Sequence, residues 1–148
     1  MADQIDREKV IYVDNVLSSL GYYRRQVIVA KRRIEKCEEE LRKERETGGV
    51  HSPAIQSLDE AKYQKGTRIY QNKIEWLLGE KAMYEMQRDH FQKTIDQYHE
   101  FVGKLDPVEH DMIFMRYEKG ESYDSIGLQL FMSRETVRRN FMRILMKW

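Results

Sequence analysis

The side chains with the clearest chemical potential in this sequence are the basic residues near residue 148. Between Phe131 and Trp148 there are five basic residues and one acidic residue, a local charge of about +4. The chain as a whole is nearly neutral, with a formal net charge of +1 over 148 residues. A local excess of positive charge attracts phosphate groups and releases their counterions. We therefore predict a phosphate-binding face built from Arg134, Arg138, Arg139, Arg143 and Lys147.

Three predicted helices position this basic segment. Asp106, Pro107 and Glu109 have the spacing of a helix start, because Asp caps, Pro suits the first helical position and Glu completes a capping box. Ser122 and Ser133 are placed to cap the second and third helices. The sequence therefore predicts a helix, a short helix, a tight turn and a basic helix, in that order.

The third of these helices has an apolar side and a basic side. Val137, Phe141, Ile144 and Trp148 recur at helical spacing and predict a buried stripe, while most of the basic residues fall elsewhere. This order of elements is that of a helix-turn-helix motif, which presents its last helix to the DNA major groove. The segment is therefore predicted to be a DNA-binding unit.

The same residues resemble region 4 of sigma-70-type transcription factors. The likeness is carried by the strings Leu105-x-Pro107, Arg116-Tyr117-x-x-Gly120-x-Ser122-Tyr123-x-x-Ile126 and Ser133-Arg134-Glu135-Thr136-Val137-Arg138. Two long helices followed by such a unit are also similar to the layout of ArpU-like phage late-gene transcriptional regulators. The resemblance implies a DNA-binding regulator that acts in the cytoplasm of a bacterial host.

The resemblance also implies roles for individual side chains. Four of them would face the groove and read bases: Arg134, Glu135, Arg138 and Arg139. Arginine can bridge O6 and N7 of guanine, and glutamate accepts a hydrogen bond from N4 of cytosine. Four others would contact the DNA backbone: Ser133, Thr136, Arg143 and Lys147. The expected partner is double-stranded DNA, RNA polymerase is a second candidate partner, and no cofactor or metal is expected.

Two positions near the turn depart from the family pattern. Gly127 replaces the usual small Ala and still permits close helix packing. Phe131 replaces the usual turn Gly, and a positive φ at a bulky residue costs about 1–2 kcal/mol. We expect the turn to be rebuilt with Phe131 buried between this unit and the long helices, because Met112, Phe114 and Met115 also exceed what three short helices need.

Two heptad patterns precede the terminal unit. Apolar residues recur every seven positions in the first, and Gly21 marks a kink or break within it; its members are Val13, Leu20, Val27, Ile34 and Leu41. The second contains Tyr63, Tyr70, Leu77, Tyr84, Phe91, Tyr98 and Leu105, and we expect these rings to form a core seam rather than a base-stacking platform. An antiparallel hairpin is predicted, with a polar loop at about 47–57. Any uncovered stripe would recruit a second chain, so we expect a homo-oligomer, with a dimer favoured.

Enzymatic and membrane functions find little support. The single cysteine, Cys37, rules out an internal disulfide and multi-cysteine zinc sites. The four histidines lack metal-ligand spacing, and there is no Gly-rich phosphate loop or nucleophile motif. No apolar run is long enough to span a bilayer and no signal peptide is recognised, so a soluble cytoplasmic protein that is not an enzyme is expected.

These observations predict an all-α protein with a helical coiled-coil arm over residues 1–104 and a helix-turn-helix domain over residues 105–148. The preferred function is a phage-type transcriptional regulator that reads DNA with the helix at 133–147. One alternative is a protein like the terminase small subunit, although in those proteins the DNA-binding unit usually comes first. The other alternative is an interaction protein that binds RNA polymerase or a host factor instead of DNA.

Overall fold

The computed structural model describes residues 2–47 and 60–148, with side chains for residues 3–47 and 71–148. In these ranges every regular element is helical, which confirms the predicted all-α fold: α1 (Ala2–Ser18), α2 (Leu20–Thr47), α3 (Glu60–Gly103), α4 (Pro107–Ile113), a π-helical turn (Phe114–Glu118), α5 (Tyr123–Leu130) and α6 (Arg134–Leu145). Most of the predicted loop at 47–57, and the side chains of Tyr63 and Tyr70, lie outside the described part. None of the described helices is both long and apolar enough to cross a membrane.

The chain forms two compact units, to which α2 and α3 both contribute. One unit, here the head unit, contains residues 1–24 and 93–148. The other, here the arm unit, contains residues 25–92. Residues 105–148 therefore share a compact unit with α1 and with the last turns of α3.

In the arm unit, α2 and α3 run in opposite directions. Lys73 Nζ lies 2.5 Å from Glu44 Oε1, and Lys81 Nζ lies 3.3 Å from Glu38 Oε1, so residue numbers rise along α3 as they fall along α2. The heptad positions of α2 and one of α3 are buried, as their periodicity predicts; the buried residues are Val27, Ala30, Ile34, Cys37, Leu41 and Leu77. Tyr84 and Phe91 of α3 are only half-buried. Burial also raises the pKa of the Cys37 thiol.

The head unit has one hydrophobic core, to which α1, α2, α3, α4, α5 and α6 all contribute. Its buried members are Val13, Leu17, Leu20, Tyr98, Phe101, Met112, Ile113, Ile126, Val137, Phe141, Ile144 and Leu145. The helix break predicted at Gly21 occurs at Ser19, between α1 and α2. The Ser19 N–H still donates to the Asn15 carbonyl at 3.1 Å, so the interruption is slight.

Polar contacts tie α1 to the terminal segment. Lys9 Nζ donates to the Met146 carbonyl at 3.0 Å, where cations are favoured because the carbonyls at a helix C-terminus lack partners. The Tyr117 hydroxyl donates to Asp14 Oδ1 at 2.6 Å. Burial, together with this hydrogen bond, raises the pKa of Tyr117 well above its ordinary value. These contacts add directional restraints to the apolar core.

The start of α4 has the predicted capping box. Asp106 Oδ1 accepts from the Glu109 N–H at 2.8 Å, and Glu109 Oε1 accepts from the Asp106 N–H at 3.2 Å, with Pro107 at the first turn. The hydrogen bond from the Glu109 backbone holds the pKa of Asp106 below its ordinary value.

The π-helical turn after α4 was not predicted. There the Lys119 N–H donates to the Phe114 carbonyl five residues earlier, at 3.1 Å, instead of to the residue four earlier. The turn thus accommodates one extra residue relative to α-helical geometry. The chain then leaves the helix at Gly120, whose φ is +69°.

Candidate nucleic-acid interface

The predicted reading helix, α6, begins at the predicted cap. Ser133 has extended backbone angles, and its Oγ accepts from the Thr136 N–H at 3.2 Å. Ser133 Oγ also lies 2.8 Å from Thr136 Oγ1, within hydrogen-bonding distance. The two predicted backbone-contacting hydroxyls are therefore held together at the N-terminus of α6, where partly positive backbone N–H groups favour anions.

The buried side of α6 determines the orientation of this helix in the head unit. Val137, Phe141 and Ile144 are buried as predicted, and Leu145 is buried beside them. Trp148, the last member of the predicted stripe, is only half-buried, with its ring centroid 5.3 Å from that of Phe101. Because these residues belong to the head-unit core, α6 cannot rotate about its axis without disrupting that core.

The outer side of α6 presents the predicted base-reading side chains to solvent. Arg134, Glu135, Arg138 and Arg139 are all exposed. Arg138 Nη2 donates to Glu135 Oε1 at 2.9 Å, and this contact lowers the pKa of the Glu135 carboxyl. Arg139 Nε lies 3.8 Å from the same oxygen. Glu135 is therefore ionised at neutral pH and sits between two guanidinium groups.

Arg134 and Arg143 make polar contacts at the edges of this surface. Arg134 Nε lies 3.9 Å from Asp124 Oδ1 of α5, and Arg143 Nη2 donates to Asn140 Oδ1 at 3.0 Å. Both arginine side chains stay largely exposed, so solvent screens these contacts and they remain exchangeable.

Lys147 differs from the other predicted backbone contacts. Its Nζ lies 2.7 Å from Glu109 Oε2 and 2.8 Å from Glu109 Oε1, and Glu109 is a buried residue at the first turn of α4. Because a buried carboxylate needs a partner, this lysine has a structural role within the head unit. Seven of the eight predicted side chains lie at the N-terminus or on the exposed surface of α6, and Lys147 lies beyond its last turn.

The turn between α5 and α6 contradicts the expectation that Phe131 is buried. Phe131 has φ 56° and ψ 43°, the left-handed conformation, and it is 96% exposed. The left-handed residue closes the end of α5, where the Met132 N–H donates to the Gly127 carbonyl at 2.8 Å. A Cβ at Gly127 would lie 2.5 Å from the Met132 carbonyl oxygen, so this close approach requires glycine.

The apolar residues of the head unit that exceeded the expected number do not pack against Phe131. Met112 is buried in the head-unit core, and Met115 is half-buried against it. Phe114 stays exposed. Two of the three residues that suggested a buried Phe131, Met112 and Met115, therefore pack in the core shared with α1 and α3.

We predict that Phe131→Gly stabilises the protein by up to about 1 kcal/mol, because it removes the left-handed strain of a bulky residue and loses no buried area. The midpoint of thermal unfolding should rise by roughly 2–4 °C. Phe131→Ala is the matched control, because it removes the ring and keeps the Cβ that causes the strain. A lowered midpoint for Phe131→Gly, or an equal rise for both variants, would contradict this explanation.

Sequence reasoning missed two residues beside this surface. Asp124 lies against Arg134, and Leu128, one turn further along α5, is 80% exposed. The only sequence signal for Leu128 is that it falls outside the α5 stripe formed by Tyr123, Ile126 and Leu130. An apolar residue off the stripe of a short helix predicts exposure.

The described residues show no group of three His, Cys, Asp or Glu side chains that could hold a metal ion. The outer side of α6 is an exposed, mainly basic helix face. Comparison with protein-family models, with curated proteins and with solved structures gives no match for this chain.

Proposed function

We propose that this protein is a DNA-binding transcriptional regulator that acts as a dimer or higher oligomer. α6 enters the major groove, where Arg134, Glu135, Arg138 and Arg139 read base edges. Ser133, Thr136 and Arg143 contact the sugar-phosphate backbone. RNA polymerase is a further candidate partner of the DNA-bound protein.

The observation that carries this proposal is the two-sided construction of α6. One side is fixed in the head-unit core through Val137, Phe141 and Ile144, while the opposite side carries exposed arginines. Base reading requires long donor side chains on a helix that is held rigidly, because hydrogen bonds to base edges depend on direction. A basic helix whose orientation is fixed by its own buried face meets this requirement.

The charges of the outer face also suit a polyanion. Arg134, Arg138 and Arg139 outnumber the single ionised carboxylate of Glu135 on this side of α6. The contacts that these arginines make within the protein are exposed, so exchanging them for phosphate or base contacts costs little. Glu135, held between Arg138 and Arg139, can accept from cytosine N4.

Selection of bound duplexes from a random pool, with the full-length protein, tests this proposal. Enrichment of one sequence, followed by protection of that sequence in a footprint, is the expected result. Binding that is equal for all duplexes, or absent at moderate salt, would reject sequence-specific regulation. In that case the better-supported function would be that of a protein that binds RNA polymerase or a host factor instead of DNA.

The oligomeric part of the proposal is supported by an exposed apolar stripe on α3. Trp76, Met83 and Met86 recur at heptad spacing and are all exposed, and the space around Gly79 is open. Helices with such a stripe associate by packing it against another helix. Leu77, by contrast, is buried within the chain itself, so a charge there would disrupt the arm unit rather than an interface between chains.

We predict that the double variant Met83→Glu with Met86→Glu sediments as a monomer while the unmodified protein sediments as a dimer. Met86 is 74% exposed, so the substitution leaves the fold of one chain intact, whereas four charges at an interface between two copies would be desolvated. Gln71→Glu, which places a charge elsewhere on α3, should leave the dimer unchanged. A folded monomer for the unmodified protein at high concentration would reject this interface.

A further inference from the structure

Phe131 combines two unfavourable features in one residue. Among the described residues, Phe131 is the single non-glycine residue with a positive φ. It is also the most exposed large hydrophobic residue of that set. Backbone strain of this kind persists where the surroundings enforce it and is concentrated at functional sites. The solvent-exposed ring contributes nothing to the core, so a role in binding would explain why a phenylalanine occupies this strained position.

The position of Phe131 suggests what the ring meets. Phe131 stands two residues before Ser133, the cap of α6. Asp124 and Leu128 are four residues apart and so lie on one face of α5. Since Asp124 contacts Arg134, this face of α5 adjoins the start of the proposed reading surface. Phe131 itself is three residues from Arg134 in the chain, so Leu128 and Phe131 are two exposed apolar side chains near the start of the proposed reading surface.

We propose that the Phe131 ring packs against the C5-methyl group of a thymine at the edge of the sequence that Arg134 reads. This inference rests on the proposed DNA-binding function and adds a specificity-determining contact to it. The edges of base pairs in the major groove are polar except for the thymine methyl group, which aromatic and aliphatic side chains contact. A phenylalanine held in the left-handed conformation at this turn supplies such a contact from a restrained backbone.

The test uses the duplex recovered by selection and replaces its thymines by deoxyuridine, one at a time. Deoxyuridine lacks only the methyl group and keeps the same hydrogen-bonding edge. At one position the unmodified protein should lose about fourfold in affinity, as expected for one buried methyl group. Phe131→Gly and Phe131→Ala should bind the thymine duplex about fourfold less tightly and should not discriminate it from the deoxyuridine duplex.

The two variants separate the ring from the backbone. Phe131→Gly is expected to be the more stable protein, so its lower affinity would not result from unfolding. If deoxyuridine has no effect at any position, or if both variants retain the effect, the methyl contact is rejected and the proposed function stands. If no duplex is enriched by the unmodified protein, both proposals fail. Unchanged DNA affinity in both variants, with loss of a protein partner, would reassign the ring to a protein interface.

Discussion

Leu17→Ala is expected to lower the free energy of unfolding of the head unit by about 2–5 kcal/mol. This is the range for replacing a buried leucine with alanine, which leaves a cavity. Leu17 lies in α1, far from the helix-turn-helix segment in sequence, yet it is 1% exposed and belongs to the core that holds Val137 and Phe141. Because α1 contacts α6 directly, the substitution should also weaken the packing that holds α6.

The fluorescence of Trp148 in a Trp76→Phe background reports this effect, since Trp148 lies against Phe101 within the head unit. Ile11→Ala is the matched control, because it removes an aliphatic side chain of α1 that is 60% exposed. That control should change stability by much less than Leu17→Ala. Equal effects of the two variants, or a Leu17→Ala protein as stable as the unmodified one, would show that α1 does not support the terminal segment.

Arg134→Ala and Arg138→Ala are each expected to weaken binding to the selected duplex by about 5- to 150-fold, the effect of losing a bidentate base contact. Both side chains are exposed, so the fold should be unchanged. Binding to random duplexes should weaken much less, because base contacts carry the sequence discrimination. Titration of labelled duplexes at fixed salt measures both affinities.

Arg143→Ala provides the contrasting variant on the same helix. As a backbone contact it should weaken binding to all duplexes alike and reduce the slope of log affinity against log salt by about one unit. Equal losses on selected and random duplexes for Arg134→Ala, Arg138→Ala and Arg143→Ala would remove the base-reading assignment. The helix would then bind DNA through charge alone.

The helix starts of the terminal segment could be read from the sequence because caps are local. Asp106 with Glu109, Ser122 and Ser133 all make the predicted hydrogen bonds. These bonds join residues three apart, so they depend little on the rest of the fold. The buried stripe of α6 was also predictable, because helical periodicity separates an apolar side from a polar one.

Features that depend on distant residues could not be read in this way. The stripe of α1 predicted burial, but periodicity alone does not identify α6 as the helix that covers it. The π-helical turn at Phe114–Glu118 was not predicted, because the spacing of Ile113 and Tyr117 also fits an α-helix. Phe131 was expected to be buried because a positive φ is costly at a bulky residue and because Met112, Phe114 and Met115 suggested a surplus of apolar side chains. In the structure the left-handed turn leaves it in solvent.

The contact between Lys9 and Met146 has a consequence for synthesis of the protein on the ribosome. The two residues are 137 positions apart, so α1 emerges long before the helix that covers it. At elongation rates of about 5–20 residues per second this interval is on the order of 10 s. During that time the apolar side of α1 lacks its final partner, and the nascent chain cannot assemble the core that orients α6. The proposed DNA-binding surface should therefore form late, when α6 joins α1, rather than gradually during elongation.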